Sequence, residues 1–345
     1  MTIELADYDP VWPGLYERER ARILAVLPDA ELEHVGSTSV PGLCAKPVID
    51  LMLVVDDADD EASYVPGLEA AGYRVTVRED DWHHHRILKG PDSNINLHVF
   101  PRGCAQVRRH VIFRDWLRAS SEDRDAYAEA KRKLAAQEWE RVQDYAAAKN
   151  EVVLEILERA YLTWRAEPGD VEFVTQDPPH NAPIVLREYD PVWPEWYAAE
   201  EAKIRAALGD AVVRVEHCGS TSVPGLAAKP LIDILLVVPD SGDEDAYVPA
   251  LVAAGYYLRL RERSWYEHRL LKGTVPNVNL HVFSPACEEV DRMLAFRDRL
   301  RSHPRDRAEY EETKRALASE TWNRVQDYAD AKSRVVERII LRALG

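Results

Sequence analysis

Gly36, Ser37, Thr38, Ser39, Lys46 and Asp50 fall within fifteen residues, and Gly219, Ser220, Thr221, Ser222, Lys229 and Asp233 repeat them at the same spacing. These types suit a phosphorylated ligand. Glycine lets the backbone approach a phosphate closely, hydroxyls and backbone N–H groups donate to its oxygens, and lysine offsets its charge. An aspartate rising from a strand can hold a divalent metal that bridges such phosphates. The surrounding segments, EHVGSTSVPGLCAKPVID (33–50) and EHCGSTSVPGLAAKPLID (216–233), differ at three of eighteen positions: Val35/Cys218, Cys44/Ala227 and Val48/Leu231. All three are small or aliphatic. Packing alone would preserve apolar volume and let polar residues drift, because surface substitutions are nearly neutral. Here the polar residues are the ones kept.

Further along, NINLHVF (94–100) and NVNLHVF (277–283) put Asn94, Asn96 and His98, or Asn277, Asn279 and His281, on one strand face. Such a row suits contact with a base or ribose, or ligation of a metal through His98. A satisfied structural network is the competing account. WHHHR (82–86) returns as WYEHR (265–269), so only His85 and Arg86 recur, as His268 and Arg269, which leaves His83 and His84 as solvated loop residues. Arg86 and Arg269 are candidate phosphate clamps, since a planar guanidinium matches phosphate oxygens, or else partners of structural carboxylates. Tyr127/Lys131 and Tyr145/Lys149 return as Tyr310/Lys314 and Tyr328/Lys332. Each pair stands four apart and shares a helix face, which either closes over a nucleotide or is simply solvated.

The elements that must position these groups follow from local pattern. PVWPGLYERERARILAVL (10–27) reads as an amphipathic helix, followed by a short strand near Glu31–Val35. Val48–Val55 is apolar and β-branched, as a buried central strand would be, and Asp50 interrupts it. A helix is expected over Tyr64–Ala71, strands at RVTVR (74–78), HRILK (85–89) and NINLHVF, and helices from Gln106 through Tyr161. The predicted class is α+β: a small mixed β-sheet with flanking helices and a helical C-terminal half, occurring twice.

Longer repeats agree with this division. YDPVWP occurs at 8–13 and 189–194, and RVQDYA at 141–146 and 324–329. The 345 residues therefore suit two domains, 1–165 and 184–345, joined by a Pro-rich polar linker at 166–183. A formal net charge of −16 opposes attraction to duplex nucleic acid. The sequence shows no apolar run long enough for a membrane span and no signal-peptide core, which predicts a cytoplasmic protein without a membrane partner. Cys44, Cys104, Cys218 and Cys287 form no CxxC pair and are expected to be reduced, buried thiols.

The block EHVGSTSVPGLCAKPVID, with YDPVW before it and FRDWLR (113–118) and two Tyr/Lys helices after it, resembles the GrpB family. Domains of that family belong to the DNA polymerase β-like nucleotidyltransferase superfamily. The resemblance covers both copies. It implies a Gly-Ser helix start, an Asp-x-Asp or Asp-x-Glu pair on the next strand, and a third carboxylate on a later strand, together binding Mg2+ and a nucleoside triphosphate. Gly36, Ser37 and Asp50 match, as do Gly219, Ser220 and Asp233, but Met52 and Leu235 occupy the place of the second carboxylate. The resulting expectation is a nucleotide-binding protein that transfers a nucleoside monophosphate from a nucleoside triphosphate to an unknown small-molecule acceptor. Asp50, His98, Asp233 and His281 would be its catalytic groups, and Asp50 and Asp233 would hold Mg2+ together with the nucleotide. Gly36, Ser37, Thr38, Ser39, Lys46, Arg86 and Asn96 would line the nucleotide site, with Gly219, Ser220, Thr221, Ser222, Lys229, Arg269 and Asn279 in the second copy. The alternatives are an inactive nucleotide-binding or sensory module and a structural interaction domain, since GrpB-like domains also occur fused to dephospho-CoA kinase.

Overall fold

The computed structural model describes residues 3–92, 94–165, 171–175, 184–322 and 325–345. The chain forms two compact units, Met1–Tyr161 and Leu162–Gly345. The first runs α1 (Trp12–Leu24), β1 (Glu31–Val35), β2 (Ile49–Val55), α2 (Val65–Ala70), β3 (Arg74–Glu79), β4 (His85–Lys89) and β5 (Ile95–Pro101). Four helices follow: α3 (Ala105–Ala119), α4 (Ser121–Ala135), α5 (Val142–Ala148) and α6 (Asn150–Arg165). The α+β architecture expected from the sequence is present, once in each unit.

The five strands are ordered β1-β2-β5-β4-β3. Only β2 and β5 run parallel, with Asp50 opposite Asn96 and Met52 opposite His98. Alternation along the strands then sorts the side chains. Ile49, Leu51, Leu53, Leu88, Leu97 and Val99 form a core with Trp12 and Ile23 of α1 and Leu68 of α2. Asp50, Met52, Asn96 and His98 take the other face, where Met52, Val35 and Phe100 pack with Val107 and Val111 of α3. Burial of this apolar border sets a few polar groups into an otherwise dry surface.

The second unit adds an edge strand, β6 (Val171–Phe173), and then repeats the plan. It continues with α7 (Val192–Leu208), β7 (Arg214–Cys218), β8 (Ile232–Val237), α8 (Val248–Ala253), β9 (Tyr257–Glu262), β10 (His268–Gly273) and β11 (Val278–Phe283). Its helical half comprises α9 (Glu288–Ser302), α10 (Pro304–Ala318), α11 (Val325–Ala331) and α12 (Ser333–Leu344). Part of the segment expected to be linker is thus strand: β6 pairs antiparallel with β9, Val171 opposite Glu262. Three residues, VEF, are too short a run for alternation to mark a strand. The rest of that segment, 166–170 and 176–183, lies outside the described residues. The four cysteines are buried thiols. Among the described residues no helix is long and apolar enough to cross a membrane.

Candidate functional site

The Gly/Ser loop leaves β1 at Gly36, whose φ of +70° is a conformation that favours glycine. Ser37–Ser39 then make a single 3-10 turn. A Cβ at Gly36 would stand 2.5 Å from Asp50 Oδ2, so the glycine lets the aspartate lie against the loop backbone. Gly219 repeats this with φ +67° against Asp233.

The loop uses most of its own hydroxyls. Thr38 Oγ1 donates to the Val48 carbonyl at 3.1 Å and accepts from His34 Nε2 at 3.2 Å, and Ser39 Oγ donates to the Gly36 carbonyl at 2.6 Å. Burial pushes the His34 imidazole down to about 4, which keeps it neutral. Thr221 and Ser222 make the corresponding bonds to Leu231 at 3.0 Å and Gly219 at 2.6 Å. Thr38, Ser39, Thr221 and Ser222, expected among the nucleotide contacts, are buried and spend these hydroxyls within the loop. Ser37 and Ser220 remain half-buried beside tyrosines of the helical half, Ser220 Oγ lying 3.5 Å from Tyr310 Oη.

Asp50 faces this loop from β2. Asn96 Nδ2 donates to Asp50 Oδ1 at 2.7 Å, and Asn279 Nδ2 to Asp233 Oδ1 at 3.0 Å. Lys89 donates in turn to Asn96 Oδ1. Burial opposes ionisation of Asp50, yet the nearby His98 ring and the Asn96 amide outweigh it and hold the carboxyl below its ordinary range. Asp233 is held low in the same way by His281 and Asn279. Gly36, Asp50, Asn96 and His98 thus converge on one face, as do Gly219, Asp233, Asn279 and His281.

The helical half closes over the loop with cations. Lys131 is 2% exposed, donates to the Cys44 carbonyl and lies 5.2 Å from the Tyr127 ring centre. Lys149 Nζ stands 4.8 Å from the ring of Tyr145. In the second unit Lys314 donates to the Ala227 carbonyl, while Lys229 and Lys332 flank Tyr328 at 5.6 and 4.5 Å. Burial pushes the Lys131 and Lys314 amines down to about 7, with Lys149 and Lys332 repelling them further. Lys149 is lowered by burial and then by Lys46, and Lys229 by burial and then by Lys332. The Tyr/Lys pairs are therefore not solvated faces. Hydroxyls of Tyr145 and Tyr328 are buried here with no hydrogen-bond partner.

Arg86 and Arg269 partner carboxylates, the second of the two expectations for them. They alternate with His85 and His268 and so point to the opposite sheet face, beside Leu88 and Leu271. Arg86 binds Glu61, Asp59 and Asp80 at 2.7 to 2.8 Å, and Arg269 binds Glu244 at 2.6 Å and Glu267 at 3.0 Å. Their guanidinium groups are committed to carboxylates there. Met52 and Leu235, both fully buried, stand where the second carboxylate was expected, and on the later strand Asn96 and His98, or Asn279 and His281, share the face of the aspartate. Asp50 with Asn96 and His98, like Asp233 with Asn279 and His281, offers too few hard oxygen ligands to fit Mg2+.

Two features escaped the sequence reading. Arg118 donates to the Ser39 carbonyl at 3.0 and 2.8 Å, and Arg301 to that of Ser222 at 3.1 and 2.8 Å, so α3 and α9 grip the loop. The recurrence of the last arginine in FRDWLR and FRDRLR was the available signal. The first unit also holds a cavity of about 200 Å3 bordered by Gly36, Ser37, Arg109, His110, Phe113 and Tyr127.

Comparison with known proteins agrees with the internal repeat. A UPF0157 protein of Halalkalibacterium halodurans is 57% identical over 164 residues, which cover 47% of this chain and 84% of the relative. Another, of Streptomyces coelicolor, is 45% identical over 161 residues, covering 46% and 85%. The crystal structure of GrpB from Enterococcus faecalis is 30% identical and aligns with a TM-score of 0.40 over 46% of this chain and 98% of that one. The family described as GrpB protein matches residues 2–159 and again residues 183–342, and the chain belongs to that family as a tandem pair.

Proposed function

We propose that each repeat binds a nucleoside triphosphate, its phosphates lying between the Gly/Ser loop and the lysines of the helical half. The observation that carries this reading is the set of mutually repelling lysines, Lys46, Lys131 and Lys149 or Lys229, Lys314 and Lys332, gathered around one buried loop. Concentrating cations in a low-dielectric site is unfavourable until a polyanion neutralises them. Ser37 and Ser220 donate to the same anion, and Asp50 and Asp233 mark the end where an incoming hydroxyl would sit. The reaction consistent with this arrangement is attack of an acceptor hydroxyl on the α-phosphate, which transfers the nucleoside monophosphate and releases pyrophosphate, and the cavity beside Ser37 would admit that acceptor in the first repeat.

A second reading, a nucleotide sensor without turnover, is favoured by the burial of Met52 and Leu235 at the expected carboxylate position. One experiment addresses both. Thermal unfolding with ATP, CTP, GTP or UTP present at 100 times Kd should show about 2.7 kcal/mol of added stability for the cognate nucleotide. Incubation with its α-32P form then distinguishes transfer from simple retention. No shift with any triphosphate contradicts both readings.

A further inference from the structure

The cavity of about 200 Å3 that borders Ser37 takes most of its wall from Val40, Phe113, Leu117, Val153 and Leu157. An apolar cavity of roughly 150 Å3 inside a protein takes up benzene, so this one suits an apolar body of that size with one small substituent. Its polar groups narrow the choice. Arg114 is spent on Glu33 at 2.5 Å, Asp115 at 2.7 Å and the His34 carbonyl at 3.0 Å, and the Tyr127 hydroxyl is hydrogen-bonded with Ser37. His110 gives its Nδ1–H to the Gln106 carbonyl at 2.7 Å, which fixes the tautomer and makes Nε2 a lone-pair acceptor. Burial pushes that imidazole down to about 4, so it is uncharged at neutral pH. Arg109 and Arg114 border the cavity and, among the described residues, no carboxylate does, so a cationic ligand meets repulsion there.

The second repeat builds this wall from other residues. Aligned on FRDWLR (113–118) and FRDRLR (296–301), His110 corresponds to Met293, Gln106 to Glu289 and Leu154 to Glu337. Met293 packs with Cys287, Val290 and Leu294. Arg292, the counterpart of Arg109, is 1% exposed and binds Glu289 at 3.2 Å and Glu337 at 2.7 Å. A thioether, a poor acceptor, thus stands where the first repeat offers an imidazole nitrogen. We propose that the first repeat alone holds an acceptor pocket, for a small apolar alcohol whose hydroxyl donates to His110 Nε2 and which carries no cationic group. The proposal rests on the nucleotide reading, because the pocket adjoins the loop serine assigned to the phosphates. His110 selects a hydroxyl over a plain hydrocarbon, and the second repeat binds its nucleotide without this acceptor.

The test uses the full chain and three probes of matched size, benzyl alcohol, toluene and benzylamine, titrated against the methyl NMR signals of the protein. Benzyl alcohol should shift the methyls of Val153 and Leu157 and leave those of their counterparts Val336 and Ile340 in place. It should bind about 3- to 10-fold tighter than toluene, the worth of one hydrogen bond, and benzylamine, charged at neutral pH, should bind weakest. His110→Met should bring the alcohol down to the affinity of toluene. Equal affinity for alcohol and toluene in the parent chain, a preference for the alcohol that survives His110→Met, tightest binding of benzylamine, or shifts at Val336 and Ile340 overturns the proposal. Triphosphates are titrated separately. If they bind and the alcohol does not, the pocket proposal alone falls. If none binds while the alcohol behaves as expected, the nucleotide reading falls and the pocket stands as a site for the alcohol.

Discussion

At Gly36 and Gly219 a side chain has neither the backbone conformation nor the space it needs, because the adjacent aspartate fills the volume a Cβ would take. Gly36→Ala with Gly219→Ala should cost about 1–3 kcal/mol per site through backbone strain, read by thermal unfolding, and should displace Asp50 and Asp233. Asp50→Asn with Asp233→Asn keeps the shape and removes the carboxylate, so transfer to an acceptor should vanish while Tm stays near its starting value. A large fall in Tm would instead make each aspartate a fastener of its loop. Lys131 and Lys314 supply the pH dependence. Their amines are lowered to about 7, so the empty protein should gain stability as pH rises from there toward the ordinary lysine range, because the unfolded chain then binds more protons. Anion binding has the opposite sign. It needs the protonated amines, so affinity should fall as pH passes 7, by up to about tenfold per pH unit for each obligatory proton. Titration calorimetry between pH 6 and 9, values on the order of those that bracket this transition, measures both its slope and its direction.

Each element contributes one alignment to the site. The parallel pairing of β2 with β5 sets Asn96 beside Asp50, and a one-residue slip of either strand would turn its own polar side chain toward the hydrophobic core. Arginines on α3 and α9 hold the loop from the other side. Arg118→Ala with Arg301→Ala removes charge-assisted bonds to the Ser39 and Ser222 carbonyls, each worth about 1.5–3 kcal/mol before solvent screening of these half-exposed side chains. Nucleotide affinity should fall more than stability does, since the loop is the part released. Much of this scaffold was legible beforehand. HRILK matched β4, Val48–Val55 matched β2 to within one residue, and the alternation in NINLHVF placed Asn96 and His98 together. The choice between the two expectations for Arg86 was not legible, because its acidic partners Asp59, Glu61 and Asp80 lie in segments that carry no periodic pattern. Nor was the burial of Lys131 and Lys149. A Tyr/Lys pair four apart reads identically whether its helix meets water or a loop, and only tertiary packing decides.

For the whole molecule the consequence is duplication of a complete unit. Each has its own sheet, its own core and its own set of lysines, so residues 1–165 and residues 184–345, expressed separately, should each fold cooperatively and bind nucleotide. Sequence comparison showed this division through repeated words, yet it missed β6, a three-residue strand recognisable only from its partner β9. The most direct measurement of the central claim is titration calorimetry of the full chain with the triphosphate that gives the largest thermal shift. Two equivalents should bind per chain, one for each repeat, and Lys149→Ala with Lys332→Ala should weaken both at least tenfold while leaving the fold intact. Absence of binding, or affinity unchanged by removal of these lysines, would contradict the assignment of the loop and its lysines as a nucleotide site.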